Sequence, residues 1–168
     1  MKVLFFSERL GPPFDEGIKN VALNLLRQLR QTHRVLALTT AGADLPELGL
    51  ENLAGLNRLL CNGRLRRRIR DFGPDRVCYL PTASMTLFAF VRARMLGDHA
   101  GGAPLTMIAL QPRHQGRLAR LIVPRIAPAR VVVQSQNSLV RLAYLGRRVR
   151  FVPAGVDLDR FRPVDEAT

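Results

Sequence analysis

The chain has 168 residues, of which 47% are hydrophobic and 23% charged, and its mean hydropathy is +0.02. Because a domain commonly holds roughly 100–200 residues, this length predicts one globular domain and excludes two full ones. The composition excludes a disordered chain. The longest apolar runs are far shorter than the about 20 residues that a bilayer span requires, so no membrane-spanning segment is predicted.

The net charge is strongly positive, since 26 basic residues stand against 13 acidic ones, which gives +13. Only Lys2 and Lys19 are lysines, and all the other cations are arginines. Such an excess attracts polyanions, whether nucleic acid, anionic lipid or phosphorylated substrates. A genome with biased base composition would also enrich arginine, so the charge by itself leaves the partner open.

The cysteines and histidines indicate neither a disulfide framework nor a metal site. Cys61 and Cys78 are far apart in the sequence, and none of the 3 histidines lies at metal-ligand spacing from them. We therefore expect a reduced, cytoplasmic protein without a structural metal.

Short apolar runs alternate with stretches of helical period along the chain. The apolar runs predict strands at residues 2–6, 34–39, 76–80, 105–110, 130–134 and 148–152. The helical periods predict helices at residues 17–29, 65–72, 84–96, 115–124 and 136–145, and residues 40–62 are predicted to be loop. Because the strands are apolar on both sides, the alternation predicts an α/β fold, a Rossmann-like doubly wound parallel sheet with helices on both faces.

The loop at residues 8–16 joins the first strand to the first helix. In an open parallel sheet, ligands bind outside the carboxyl ends of the strands, where such a loop lies. A glycine at a helix start leaves backbone N–H groups uncovered, and the helix dipole there attracts phosphate. We therefore predict a phosphate site at Gly17, Ile18 and Lys19, the alternative being that Gly17 only permits a tight turn. The loop lacks the G-x-G-x-x-G pattern, so no nicotinamide cofactor is predicted.

Three segments carry a more specific pattern. Residues 12–19 read Pro-Pro-Phe-Asp-Glu-Gly-Ile-Lys, residues 72–77 read Phe-Gly-Pro-Asp-Arg-Val, and residues 151–163 read Phe-Val-Pro-Ala-Gly-Val-Asp-Leu-Asp-Arg-Phe-Arg-Pro. In this order they resemble segments of the family 4 retaining glycosyltransferases of the GT-B fold, whose opening loop has Gly-Gly after two prolines. Glu16 replaces the first of those glycines, and Ala154 replaces the asparagine of the family's Pro-Asn-Gly-Val-Asp.

The resemblance implies an N-terminal, acceptor-side domain at residues 1–152, followed at residues 153–168 by the start of an interdomain linker. In the complete enzyme a sugar would pass from a nucleotide diphosphate sugar to an acceptor with retention of configuration, without a metal or another cofactor. The expected partners are a C-terminal donor domain and an acceptor sugar or lipid-linked acceptor, and the chain alone is expected to be inactive. The linker residues implied by the resemblance are Gly155, Asp157 and Phe161.

The family often carries a histidine at the end of its fourth strand, near the reacting sugar. Gln111 or Leu110 takes that position in this sequence, and His114 follows in the next loop. The resemblance makes Gln111 and His114 catalytic candidates, and a solvated His114 is the alternative. Further candidates for the acceptor or the cleft lie in loops after the strands: Gly11, Asp15, Glu16, Arg113 and Ser135. Ser135 also has the position of a helix cap.

Two predicted helices are basic and amphipathic. In the first, Leu65 and Ile69 lie among arginines, and in the second Leu118 and Leu121 do. Such helices bind anionic membrane surfaces, and lipid-linked acceptors are common in the family that the chain resembles, so a peripheral position at the inner face of a membrane is one expectation. The alternative is that the apolar faces pack on the sheet and the arginines are solvated.

The sequence is also compatible with two other functions. The chain can be a non-enzymatic module that docks on an anionic partner through its arginines, or an inactive half that works by pairing with a separately encoded donor domain. Nucleic acid is not favoured as the partner, because the 8 Phe and 2 Tyr residues are not interleaved with the arginines.

Overall fold

The computed structural model describes residues 1–42, 44–53, 55, 56, 59–82, 86–110, 116–153 and 155. Its strands are β1 (Lys2–Ser7), β2 (Arg34–Thr39), β3 (Leu50–Asn52), β4 (Arg76–Leu80), β5 (Leu105–Ala109), β6 (Arg130–Val133) and β7 (Val149–Phe151). Its helices are α1 (Gly17–Thr32), α2 (Gly63–Phe72), α3 (Leu87–His99), α4 (Arg117–Ile126) and α5 (Gln136–Arg141), with short 3₁₀ helices at Pro46–Leu48 and Ala143–Arg148.

All seven strands form one sheet in the order β3-β2-β1-β4-β5-β6-β7, and every neighbouring pair is parallel. The predicted Rossmann-like α/β fold is therefore confirmed. The order reverses direction at β1: the chain moves outward to β3, then crosses back to β4 and moves outward again. Crossovers between parallel strands are right-handed. The helix between β1 and β2 therefore lies on one face of the sheet, and the helices that follow the return of the chain toward β4 lie on the other.

Each face of the sheet carries its own apolar core. Along β1, Phe5 packs with the α1 residues Ala22 and Leu26, whereas Leu4 and Phe6 belong to the opposite core. Neighbouring residues of a strand point to opposite faces, so α1 covers one face. The other core contains side chains from α2, α3, α4 and the 3₁₀ helix Ala143–Arg148: Leu65, Ile69, Phe90, Val123 and Leu145.

The ends of α2 illustrate how local chemistry positions the helices. The Asn62 side chain accepts hydrogen bonds from the backbone N–H groups of Arg64 and Leu65, at 2.8 and 3.3 Å, and so caps the first turn. Gly73 ends the helix in the left-handed region at φ +62°, a conformation that glycine adopts without a Cβ penalty. Leu65 and Ile69 between these ends are fully buried, and burial of each contributes about 1.5–3 kcal/mol.

Two predicted elements are wrong. Residues 40–62, predicted to be loop, contain β3 and the 3₁₀ helix Pro46–Leu48, because Leu50 pairs with Ala37 at the edge of β2 and is buried against α1. The single helix predicted at residues 136–145 is divided, since α5 ends at Arg141 and the following 3₁₀ helix is kinked at Gly146. The domain boundary at residue 152 stays a prediction.

Candidate functional site

Strand order reverses between β1 and β4, and in open parallel sheets such a reversal leaves a crevice between the carboxyl ends of the two strands. From β1 the chain passes to α1 on one face, and from β4 it passes to α3 on the other, so the two loops diverge there. Ligands of open parallel sheets bind at this switch point. The loop at residues 8–16 follows the carboxyl end of β1 at this switch point, and Gly17 begins α1 directly after the loop. The phosphate site at Gly17 stays a prediction.

A buried carboxylate, that of Glu8, joins the two loops at the switch point. Its Oε2 accepts hydrogen bonds from the backbone N–H and the hydroxyl of Thr82, both at 3.0 Å. Its Oε1 accepts one from the Tyr79 hydroxyl and forms an ion pair with the Arg92 Nε at 2.9 Å, a contact without hydrogen-bond geometry. Both carboxylate oxygens are thus fully occupied, so Glu8 ties β1, β4 and α3 together rather than offering a free base.

The backbone around Glu8 adds further ties at the same rim. The Glu8 N–H donates to the Leu80 carbonyl at 3.1 Å, and the Thr40 hydroxyl donates to the Glu8 carbonyl at 2.8 Å. Burial, together with the neighbouring Glu8 charge, raises the pKa of Tyr79 well above its ordinary value. Tyr79 therefore stays protonated and remains a hydrogen-bond donor to the carboxylate.

The Lys19 amine turns back onto the loop that precedes α1. Its Nζ donates to the Pro13 carbonyl at 2.8 Å and to Asp15 Oδ1 at 3.1 Å, and lies 3.5 Å from Glu16 Oε1. The hydrogen bond from Lys19 lowers the pKa of Asp15, so Asp15 is ionised at neutral pH. Glu16 also pairs with Arg9 at 3.0 Å. Ion pairs between its own side chains thus hold the loop in place. The Lys19 amine contacts carboxylates, whereas the sequence predicted that it would contact a phosphate.

The N-terminus of α1 is uncapped and open. Glu16 occupies the N-cap position in an extended conformation, and its side chain makes no capping hydrogen bond. A Cβ built on Gly17 meets nothing within 4 Å, and its φ lies outside the left-handed region, so a tight turn does not explain this glycine. The Ile18 side chain is buried, which leaves only its backbone to face the crevice. These features support the predicted role of Gly17 and Ile18, which stays a prediction.

Gly11 is buried where the loops after β1 and β2 press together. The Leu10 N–H donates to the Ala41 carbonyl at 3.1 Å. Gly42 has φ +141°, and a Cβ there would come within 2.0 Å of the Leu10 carbonyl oxygen and 3.4 Å of the Gly11 Cα. Only glycine fits at position 42. Gly11 is therefore buried in the contact between these two loops, and a contact with acceptor stays a prediction.

Ser135 caps α5, as its position in the sequence indicates. Its hydroxyl accepts a hydrogen bond from the Ser138 N–H at 3.1 Å and lies 2.7 Å from the Ser138 hydroxyl. Ser135 follows β6 on the same rim as the switch point, but its hydroxyl is used within the helix. A role for Ser135 in the cleft stays a prediction.

Five candidates fall outside the described residues: Gln111, Arg113, His114, Asp157 and Phe161. Gly155 is described as an exposed residue without secondary structure. Within the described part of the chain, no cluster of three or more His, Cys, Asp or Glu side chains is arranged to hold a metal ion. The buried His99 has its Nε2 3.0 Å from the Leu60 carbonyl oxygen, which gives this side chain a structural partner.

The two basic helices differ in how they use their apolar residues. In α2, Leu65 and Ile69 are fully buried, so its apolar side packs in the core and its arginines face solvent. In α4, Leu118 and Leu121 are 67% and 65% exposed, and only Val123 is fully buried. Over the described helices, none has the length and apolar character of a bilayer span.

The hydrogen bonds and the ion pair of Glu8 were not predicted from the sequence. The available signal was an acidic residue directly after a buried strand, at the end of the sheet where ligands bind. The partners Tyr79, Thr82 and Arg92 lie more than 70 positions away, at separations of 71, 74 and 84 residues. Only the adjacency of β1 and β4 brings these residues together.

Comparison with known proteins assigns no family. The sequence matches no protein-family model, and a search of curated proteins finds no significant match. The likeness to the GT-B glycosyltransferases is therefore a resemblance of three sequence segments, at residues 12–19, 72–77 and 151–163.

Proposed function

We propose that this chain is the N-terminal, acceptor-side domain of a retaining GT-B glycosyltransferase. The full reaction would break the bond between a sugar's anomeric carbon and the diphosphate of a nucleotide sugar. A bond to an acceptor oxygen would form with the same anomeric configuration, and the acceptor hydroxyl would lose its proton. In the family that the chain resembles, a second domain grips most of the nucleotide, so transfer is proposed to need a donor domain.

The observation that carries the proposal is the uncapped start of α1 at the topological switch point. Gly17 exposes the first turn to open space, and the Glu16 carboxylate is held away from the cap position by Arg9 and Lys19. Backbone N–H groups at such a terminus stabilise negative charge. During transfer the leaving diphosphate gains charge, so these N–H groups would favour the transition state electrostatically.

The contacts of Lys19 change the role that we propose for it. Its amine holds Pro13, Asp15 and Glu16, and it is largely buried. We therefore propose that Lys19 positions the opening loop and lowers the negative charge beside Gly17, while the backbone makes the phosphate contact. Gln111 and His114 keep the catalytic roles that the resemblance implies.

Binding of UDP and GDP, measured by ligand-observed NMR, tests the phosphate contact. A valine at Gly17 would cover the helix start, and Gly63→Val is its matched control, because Gly63 also begins a helix and also has nothing within 4 Å of a Cβ. We expect a Kd of about 1 mM for the wild-type chain, at least tenfold weaker binding for Gly17→Val, and a change below about twofold for Gly63→Val.

Equal losses in the two valine variants, or none in Gly17→Val, would argue against the proposed site. A second assay addresses the need for a donor domain, with UDP-glucose and GDP-mannose offered to the wild-type chain and a simple sugar acceptor. Sugar transfer by the chain alone would contradict the proposal.

A second candidate function is favoured by a separate observation. Residues 99–156 contain nine arginines and no aspartate or glutamate, and α4 in this region exposes Leu118 and Leu121 beside Arg117 and Arg120. This combination suits an anionic membrane surface, which binds both apolar and basic side chains. The chain would then be a peripheral binding module, with or without a transferase activity.

Vesicle sedimentation distinguishes this candidate from the first. Binding to vesicles that contain phosphatidylglycerol, but not to pure phosphatidylcholine, is expected, with loss in the Leu118→Ser/Leu121→Ser variant. Gly17→Val should leave vesicle binding unchanged, because that residue lies on another element. Equal binding by the serine variant would exclude α4 as the contact surface.

A further inference from the structure

One face of the sheet is incompletely covered at the β5–β7 end. Along β5, Leu105, Met107 and Ala109 are buried toward α3 and α4, whereas the alternate residues Thr106 and Ile108 are only half-buried. The same alternation continues in β6, where Arg130 and Val132 lie on the less buried face. In β7, Arg150 lies on that face, and Phe151 on the other face is exposed as well. We call Thr106, Ile108, Arg130, Val132 and Arg150 the open face.

The strand register arranges the open face in two rows. Thr106 pairs with Arg130 across β5 and β6, and Cys78 of β4 pairs with Thr106 from the other side. In the second row Ile108 pairs with Val132, which pairs with Arg150 of β7. Neighbouring strands lie about 4.8 Å apart, so each row passes from uncharged side chains at the centre to an arginine further out.

No helix within the described residues covers the open face. α1 packs on the core that holds Phe5, Ala37 and Leu80, and this core ends at the partly buried Cys78 and Ile108. The helices that follow β3, β4 and β5 contribute to the opposite core. Parallel sheets in α/β proteins are covered on both faces. Among the described residues, the open face thus lacks the helix that such a sheet ordinarily has.

The charge of the open face is unbalanced as well. Arg130 and Arg150 are exposed, and neither forms an ion pair with any other described residue. Within residues 99–156, the stretch that contains both arginines, there is no acidic side chain. An occupant of this face would therefore need apolar groups at its centre and carboxylates at its outer side.

We propose that the open face binds an amphipathic helix of a partner protein, with apolar side chains on Ile108 and Val132 and Asp or Glu side chains beside Arg130 and Arg150. A helix of about 10–12 Å diameter spans two to three strands, which matches the width of the two rows. This inference is independent of the proposed transferase activity.

Other occupants fit the same surface less well. A second copy of the chain joined through a two-fold axis would bring two pairs of arginines together without acidic partners. α1 stands about 10 Å above the same face and would hold a bilayer away from Ile108 and Val132. Nucleic acid would satisfy Arg130 and Arg150 but not the apolar centre.

The test uses two labelled helical peptides with identical leucines at helical spacing, one flanked by glutamates and the other by lysines. Fluorescence anisotropy with the full chain at about 0.15 M salt should give a Kd below about 100 µM for the Glu peptide and at least tenfold weaker binding of the Lys peptide. Arg130→Glu/Arg150→Glu should weaken binding of the Glu peptide at least tenfold and strengthen binding of the Lys peptide. The reversal of preference also shows that this variant is folded.

The matched control is Arg66→Glu/Arg70→Glu, which makes the same charge change at exposed positions of α2, on the covered face. We expect it to change the affinity for the Glu peptide by less than about twofold. Equal losses in the two double variants would show a general attraction to negative charge and overturn the proposal. Absence of saturable binding up to about 1 mM, or a dimer of the wild-type chain that Val132→Asp dissociates, would overturn it also.

Discussion

Replacement of Glu8 by alanine is the most informative perturbation of the switch point. The carboxylate is buried, accepts three hydrogen bonds from Tyr79 and Thr82, and pairs with Arg92. Alanine would leave the Tyr79 hydroxyl and the Arg92 guanidinium without their anionic partner in a largely buried position. The loops after β1 and β4 would also lose their direct connection.

The expected cost follows from these contacts. Hydrogen bonds to charged groups contribute about 1.5–3 kcal/mol each, and removal of one partner from a buried ion pair costs about 3–5 kcal/mol. Water can reach Thr82 and the edge of Arg92 once the carboxylate is gone, so the contributions do not add fully. We expect Glu8→Ala to lower the free energy of unfolding by about 3–4 kcal/mol, a large share of the about 5–15 kcal/mol typical of a domain.

Urea unfolding followed by circular dichroism measures this loss. With a slope of about 2 kcal/mol per molar urea, the midpoint should fall by about 1.5–2 M. Glu16→Ala is the control, since the Glu16 carboxylate is 41% exposed and its pairs with Arg9 and Lys19 should together contribute no more than about 1 kcal/mol. If Glu8→Ala moved the midpoint no further than Glu16→Ala, the network would not anchor the switch point. Glu8→Ala/Arg92→Met also removes the Arg92 charge that Glu8→Ala leaves without a partner. Its loss of free energy of unfolding should be smaller than the sum of the two single losses by at least about 1 kcal/mol.

Three other predictions concern single groups. Gly42→Ala should lower the free energy of unfolding by about 1–3 kcal/mol, because the added Cβ overlaps the Leu10 carbonyl oxygen at a positive φ. Gly17→Ala is the control and should lower it by less than about 0.5 kcal/mol, because a Cβ there meets nothing within 4 Å. Equal urea midpoints for the two variants would refute the steric argument. Burial raises the pKa of Cys78 to about 12, so iodoacetamide at about pH 8 should modify the exposed Cys61 first, and mass spectrometry showing equally fast alkylation of Cys78 would contradict this order. The Lys19 hydrogen bond lowers the pKa of Asp15, so this contact stabilises the fold above pH 3.8, the ordinary value, and is lost as the pH falls through the lowered pKa. In Lys19→Met, the NMR signal of the Asp15 carboxyl carbon should therefore titrate at a higher pH. An unchanged titration would disprove the contact.

Local pattern was sufficient to predict most of the secondary structure. The apolar runs at residues 34–39 and 76–80 coincide with β2 and β4, and the helical period after Gly17 coincides with the start of α1. Ser135 caps α5 as its position indicates. These features depend on residues close together in the chain. Runs that are apolar on both sides become buried strands, a helical period of apolar residues becomes a helix, and a serine before a helix caps it. The parallel character of the sheet follows from the same alternation.

The sequence by itself therefore determined the class of fold and the glycine that begins α1, and it predicted the edge of the sheet at which a ligand would bind. The tertiary structure decided which strands are neighbours, and that order brings Glu8 to Tyr79 and Thr82. It also leaves Ile108 and Val132 without a covering helix from the described part of the chain. It also decided that Lys19 turns toward its own loop. The physical reason is that strand order, side-chain pairing and coverage of a face depend on contacts between segments distant in the sequence. Hydrophobic periodicity indicates only which side of a single helix or strand is buried.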